Sequence, residues 1–587
     1  NYFLHLWKIK LHLRVESTNL NIFLLWIIKN YTMTFFRVSN LILLAIAMCF
    51  CNSMDDGSDN PPTSDDKDNV LYNGIVLPDV WPPRTGDPFS PAPMAVPYLD
   101  NPPEVIPIDV GRQLFVDNFL VEQTNLQRVF HQAKKYEGNP VIEQAAFRQG
   151  GVFYDFNNRQ FVAVHRREPA GGGRNPLTFV VSNNLTDWKE ISTPFSPFAS
   201  PNAFWLQFNS QTRENNWYIM GVDRIDPRPG DDPNVPFINA LWENTMHKST
   251  DGQSWFNGVP LGRSNDYSTF FYNPFRDVWV MSVKHNVPRV GRTLYRSRYY
   301  AERSTIEHSG NFNDAVFWVN ADKLDEPHPE VGDAAQLYSL HGVAYESLIL
   351  GAFQIYLGPT NEIADERKIP KYNEMKLGFS RDGFHWDRTG RESFIKGTYQ
   401  DGDWDRAFIN LPQGICLVVG DKLWFPYCGY SGIAPDGSRG MYAGGGVGMA
   451  TLRRDGFASM EAGSLTGTLL TRPVVFEGKH LFVNVDCPGG ELRVEVLDEG
   501  GEVIGQLTAA ECKPVSTDAT LHKVSWNSKD DLSGLEGKPV RFRFHLTNGK
   551  LYSFWVSPDE SGASYGYVGA GGPGFDSVVD NKGINAY

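Results

Sequence analysis

The 587-residue chain is poor in cysteine, short of positive charge and without long apolar runs. Its six Cys form no CxxC pair and no Cys/His spacing that would hold zinc. It has no GxGxxG following a strand and opening a helix, no GKS/T loop and no HExxH, which removes the usual signs of nucleotide and zinc-protease chemistry. Lys and Arg number 54 against 68 Asp and Glu, a formal charge of −14. A binder of the phosphate backbone needs a basic face, so no nucleic-acid partner is expected. The apolar runs at 21–28 and 41–48 are too short to span a bilayer. What the chain does have is 13% aromatics, 55 Gly and 38 Pro. That mixture predicts many short strands joined by turns, and 41% hydrophobic residues can bury a large core.

The first Met is Met33, so residues 1–32 read as an upstream extension. Residues 33–51 read as an export signal: Arg37, the apolar run Leu41–Met48, then Cys49 and Cys51. The cysteines resemble the lipidated Cys of bacterial lipoproteins. Cys51 is the preferred lipidation site, because the following Asn-Ser-Met-Asp-Asp resembles an acidic surface-export tag. The expected location is the outer membrane or cell surface, or else the periplasm, with membrane contact only through that anchor. Residues 52–105 are rich in Pro and Asp and read as a linker followed by an extended arm. Cys416–Cys428 and Cys487–Cys512 are either disulfides or buried thiols.

The architecture comes from a repeat. Ser182–Trp188 reads SNNLTDW, Ser249–Trp255 STDGQSW and Ser380–Trp386 SRDGFHW; Gly310–Trp318 is a weaker copy and Arg454–Phe457, RDGF, a degenerate one. The Trp positions are 67, 63 and 68 residues apart, and the last copy ends 71 further on, at Phe457. About 65 residues holding four strands is one propeller blade with its loops. The fold class is therefore all-β, a five-bladed β-propeller over residues 106–470. The alternating segments 492–498, 540–546 and 551–556 predict a C-terminal β-sandwich over 471–587, ending in a loose Gly-rich tail.

A propeller with Ser-x-Asp-x-x-x-Trp turns and a trailing sandwich resembles the superfamily of glycoside hydrolase families 32 and 43. DVGRQLFVDNFLVE at 109–122 and RPVVFEGKHLFVNVD at 472–486 are similar to uncharacterised bacterial relatives of family 32. The resemblance implies a carbohydrate-active enzyme on this fold, acting on plant or algal oligosaccharides or polysaccharides. It supplies no site residue: the signature Asn-Asp-Pro-Asn-Gly is absent, and Arg224-Ile225-Asp226 only loosely resembles Arg-Asp-Pro.

Hydrolysis on such a scaffold needs two carboxylates converging at the axis. Glu346 in the apolar strand 341–356 is the first candidate, flanked by His341 and Tyr345; the alternative is an ion pair with an Arg. Asp405 or Asp403, at the mouth of the next blade, is the second, with Arg406 beside them. Asp266, ahead of YSTFFYN, is the third. Asp155 reads as turn chemistry, and Asp117 is ambiguous. His165, Arg166, Lys284, His285, Arg289 and Arg292 cluster near strand ends and could clamp a carboxylate or sulfate on a sugar. That tilts the reading towards an anionic glycan. A rival uses the same scaffold as a lyase: His285 or His341 as base, Arg292 or Arg406 on a uronate, Tyr345 as acid. A third reading is a non-catalytic glycan-binding lipoprotein. No cofactor is expected, and a structural Ca²⁺ in the axial channel is left open.

Overall fold

The computed structural model describes residues 69–587 apart from 148–149, 168–177, 192–202, 210–215, 225–241, 251–253, 257, 290–291, 307–311 and 333. The export signal and Cys51 therefore lie outside the described residues.

Among the described residues, five antiparallel sheets follow one another along the chain. Blade one holds Val152–Asp155, Gln160–Arg167, Thr178–Ser182 and Lys189–Glu190. Blade two runs from Ala203–Asn209 to Val259–Ser264, and blade three from Thr269–Asn273 to Val316–Val319. Blade four holds Gln336–Glu346, Leu348–Gly358 and Tyr372–Ser380. Blade five holds Ala407–Asn410, Leu417–Val419, Lys422–Tyr430 and Gly445–Arg453, with Lys134–Lys135 and Ile142–Glu143 on its outer edge. An early segment thus completes the last sheet.

Consecutive sheets touch, and the fifth touches the first. Phe179 of blade one packs edge-on to Trp217 of blade two, and Tyr218 of blade two to Trp279 of blade three. The Thr269 hydroxyl of blade three bonds the Leu340 carbonyl of blade four. Gln354 of blade four donates to the Ile409 carbonyl of blade five at 2.9 Å. Gln413 of blade five receives the Val152 N–H at 3.0 Å and donates to Gly150 at 3.2 Å. The ring is closed by hydrogen bonds at its inner strands.

The repeated turn explains its own spelling. In Ser380–Trp386, Asp382 Oδ1 accepts the N–H groups of Phe384 and His385, and Ser380 accepts that of Gly383, whose φ is +84°. Trp386 is then buried against Trp318 of the neighbouring sheet, ring centres 5.8 Å apart.

Two further sheets form the second core. One pairs Glu491–Asp498, Val540–Thr547, Gly467–Thr471 and Val121–Thr124; the other pairs His480–Asp486, Gly549–Ser557, Ala458–Ala462 and Gln127–Phe130. Phe542 and Phe544 of the first meet Phe554 of the second at 5.6 and 5.3 Å.

Two expectations need correction. The strands of 106–130 and 458–471 belong to this second core, not to the ring, because their apolar faces pack on Phe554, Leu551 and Phe544. The tail is not loose: Tyr567–Val568 pairs with Tyr345–Glu346, and Ala570 bonds Cys416 and Tyr154, so it crosses the end of the ring from blade four to blades five and one. The four Cys from Cys416 onward are buried free thiols.

Candidate active site

In an antiparallel blade the start of the inner strand, the end of the second and the start of the third share one end. The inner strand of blade four, Gln336–Glu346, therefore separates the predicted residues. Tyr338 and Glu346 are eight residues apart, about 26 Å along an extended chain, and sit at opposite ends.

Glu346 lies at the closed end. It occupies the hairpin turn with φ +48°. Its carboxylate accepts the Arg112 N–H at 3.1 Å, the Ser564 hydroxyl at 2.8 Å and Arg454 Nη2 at 3.1 Å. Arg454 also binds Asp580 at 2.7 Å, and Arg112 binds Asp455 at 3.1 Å. All five side chains have 0% exposure. Burial raises the Glu346 pKa although Arg454 and Arg112 oppose it. Tyr345 donates to Asp455 at 2.7 Å and belongs to the same cluster. The ion pair with an Arg is present, and both side chains are sealed from solvent. Asp117 resolves in the same way, in a two-point pair with Arg381 at 2.7 and 3.0 Å.

Two of the three blade five candidates are also committed elsewhere. Asp405 is buried, held by Lys135 Nζ at 2.6 Å and by the Tyr427 hydroxyl at 3.0 Å. Arg406 is paired with Asp401. Asp403 is half-buried in the same turn, where its main-chain carbonyl accepts the Arg406 N–H at 3.2 Å. His341 is buried on the inner strand, where desolvation lowers its pKa to about 4 and keeps it neutral. His285 packs edge-on to Tyr299 at 5.3 Å, on the opposite strand face from Lys284. His165 is buried, 3.3 Å from Glu190 on the outer strand of its blade. Asp155 caps its turn through the N–H groups of Asn157 and Asn158. The side chains of Arg166, Arg289 and Arg292 lie outside the described residues, as does Asp226.

Asp266 is the candidate that meets other chemistry, at the open end. Lys284 Nζ, from the second strand of blade three, lies 2.5 Å from its Oδ1. Three cations surround the ring of Tyr338: Lys284 at 5.5 Å, Arg296 at 5.3 Å and Lys371 at 5.4 Å. Arg296, in the first half of the third strand of blade three, Arg292–Arg303, also covers Tyr356 at 4.8 Å. Lys371 enters the third strand of blade four and donates to the Tyr442 hydroxyl of the blade five loop at 2.6 Å. Beneath them Arg298 is fully buried and bonds two carbonyls, Tyr267 at 2.8 Å and Tyr338. Tyr267, with φ +71°, packs on Tyr338 and receives Asn410 of blade five at 3.0 Å.

The electrostatics follow from this crowding. Burial would raise the Asp266 pKa, but Lys284, Arg296 and Lys371 outweigh it and hold the carboxyl below its ordinary value. Burial pulls Lys284 down to about 8, with Arg296 and Arg298 adding to the fall and Asp266 opposing it. Lys371 is lowered by burial too. Tyr338 is raised by burial, so its phenol keeps its proton. The Asp266 side chain remains 46% exposed, which marks the opening.

Sequence reasoning reached Asp266 and Lys284 but missed Arg296, Lys371, Tyr338 and Tyr442. Their usable signal was charge placed on either side of strand starts, in RTLYRSR and in IPKYN. Among the described residues no three His, Cys, Asp or Glu side chains converge as a metal site requires. A Ca²⁺ site calls for several oxygen ligands, and the mouth offers cations instead.

No family model matches the chain, and no curated protein matches it. Solved structures do. A glycosyl hydrolase from Bacteroides ovatus is 12% identical with a TM-score of 0.35, covering 55% of this chain and 94% of its own. A member of the GH130 family of mannoside phosphorylases and glycoside hydrolases is 13% identical with a TM-score of 0.33, covering 55% and 94%. A GH32 β-fructofuranosidase from Bombyx mori is 10% identical with a TM-score of 0.31, covering 74% and 94%. At these identities and TM-scores the likeness says nothing about which side chains react.

Proposed function

We propose that this chain is a carbohydrate-active enzyme whose reaction takes place at the open axial mouth, on an anionic glycan bearing a uronic acid or a sulfate. One observation carries this reading. Lys284, Arg296 and Lys371 ring the phenol of Tyr338, and the Asp266 carboxylate is bonded to one of them, Lys284. Crowding three cations in a partly desolvated pocket is costly unless an anion arrives to balance them. On a chain of net charge −14 the concentration is local and specific to this end.

Elimination at a uronic acid needs no group beyond these. Arg296 and Lys371 neutralise the carboxylate and so acidify the C5 proton. Lys284, in its free-amine form, takes that proton. The C5–H electrons form the C4=C5 bond, the C4–O bond breaks, and the departing oxygen takes the Tyr338 proton. Hydrolysis is the second reading, favoured by Asp266 itself: ionised and half-exposed, it suits a base for water.

The test is incubation with matched neutral and uronate-containing oligosaccharides, followed by mass spectrometry and ultraviolet absorbance. Unsaturated ends support elimination, and products heavier by water support hydrolysis of the same anionic substrate. Turnover of neutral oligosaccharides alone would overturn the reading.

A further inference from the structure

The three cations around Tyr338 are held in two different ways. Lys284 is paired with a carboxylate, that of Asp266. Arg296 and Lys371 are each held by a neutral oxygen. Gln336, 6% exposed and first in the inner strand of blade four, turns Oε1 towards Arg296 and accepts its main-chain N–H at 3.2 Å and its Nη1 at 2.8 Å. Both partners only donate, so the amide presents its oxygen and not its NH₂. Lys371 donates to the Tyr442 hydroxyl at 2.6 Å. Two carboxylates feel Arg296 from a distance, Asp266 and the exposed Glu362 of the helix Asn361–Arg367. Among the described residues no carboxylate forms an ion pair with Arg296 or with Lys371.

The choice of acceptor matters because Gln and Glu have nearly the same shape. A carboxylate at position 336 would meet the guanidinium in a charge-assisted pair and cancel its charge. The amide fixes the same side chain and leaves the charge in place. The closed end shows the other solution, where Arg112 and Arg454 are held by carboxylates. With the mouth as the anion site, on which this inference rests, we propose that Gln336 determines specificity: it orders Arg296 without neutralising it, and so reserves the guanidinium for the carboxylate or sulfate of the incoming sugar. Tyr442 serves Lys371 in the same way. The mouth thereby divides its labour. The cation paired with a carboxylate is the one that moves protons, and the two held by neutral oxygens bind charge.

The test titrates the full chain by calorimetry with methyl glucuronoside, methyl galacturonoside and galactose 6-sulfate, beside the neutral methyl glucoside and methyl galactoside. The wild type binds at least one anionic sugar more tightly than its neutral counterpart. Gln336→Glu keeps the acceptor and adds the missing charge. It weakens that anionic sugar about tenfold or more, leaves the neutral ones as they were, and holds or raises the urea midpoint by pairing with Arg296. Gln336→Leu removes the acceptor and adds no charge. Arg296 then loses its tether alone, and the anionic sugar weakens by about threefold at most. A hydrogen bond that served only the fold would rank the two variants the other way, with Gln336→Leu the worse. That reversed ranking, equal anion binding by the wild type and Gln336→Glu, or a lower urea midpoint in Gln336→Glu would overturn the role of Gln336 and leave the anion site standing. A wild type that prefers no anionic sugar would overturn the anion site, and this inference with it.

Discussion

The two ends of the ring are built from the same residue types and do opposite things. At the closed end Glu346, Asp455 and Asp580 face Arg112 and Arg454, every side chain sealed and every carboxylate bonded to an arginine. At the open end Lys284, Arg296 and Lys371 face Asp266 around Tyr338, and the carboxylate is half in solvent. One strand of blade four, Gln336–Glu346, reaches both. An ionisable group inside an apolar strand is therefore no sign of reactivity. What separates the ends is the balance of charge and the access of solvent: a cluster whose charges satisfy one another is structural, and a cluster left with excess charge beside water awaits a ligand.

The largest effect should come from breaking the closed end. Arg454→Met leaves Glu346 and Asp580 buried without their shared partner. Removing one side of a buried ion pair costs about 3–5 kcal/mol. The urea midpoint should fall accordingly, while turnover per folded molecule stays the same. A loss of turnover in protein that is still folded would mean that the two ends are not independent.

Next comes the open end. Lys371→Met and Arg296→Met should each lower kcat/KM for an anionic glycan about 100-fold, roughly 2.7 kcal/mol. Stability should change by no more than ~0.5 kcal/mol, since each change also relieves repulsion between like charges. Equal losses on neutral and anionic substrates would remove the anion from the argument. The sharper contrast is between the two carboxylates. For hydrolysis, where Asp266 is the base, Asp266→Asn should cost about 100-fold or more in turnover, and Glu346→Gln should leave turnover per folded molecule intact in either reaction. The reverse ranking would return Glu346 to the chemistry.

The sequence made the ring readable because each blade spells a local event. The Ser-x-Asp-Gly-x-x-Trp turn caps its own N–H groups within four residues, and the Trp spacing counts the sheets. The closed end was misread because its partners are remote: Arg112 is 234 residues before Glu346, and Arg454 is 108 after it. The degenerate copy RDGF held the clue, since its Arg454 and Asp455 have left turn duty for that cluster. The open end was only partly readable for the same reason. Lys371, Tyr442 and Arg296 come from three blades, and each alone looks like a solvated strand end. The edge strands at 106–130 alternate as ring strands would, and only their packing on Phe554 and Leu551 assigns them to the second core.

The smallest effect is the most specific to the mouth, and it is read from pH. Lys284 has a folded pKa of about 8, against ~10.4 in an unfolded chain. Between those values the unfolded state holds a proton that the folded state has lost. Stability therefore rises with pH across that window and gains nothing from this group below it. The free amine needed for elimination appears over the lower edge of the same window, so kcat/KM should climb through about pH 8. Lys284→Met should flatten the stability rise. Asp266→Asn removes the partner that favours the charged amine, so the rise should begin at lower pH. The measurement is the urea midpoint as a function of pH for wild type and both variants, beside the wild-type rate profile. Among the described residues no lysine side chain pairs with Glu346, Asp455 or Asp580, so Arg454→Met should keep the window where it is. If Arg454→Met moved it and Lys284→Met did not, the excess charge would belong to the wrong end of the ring.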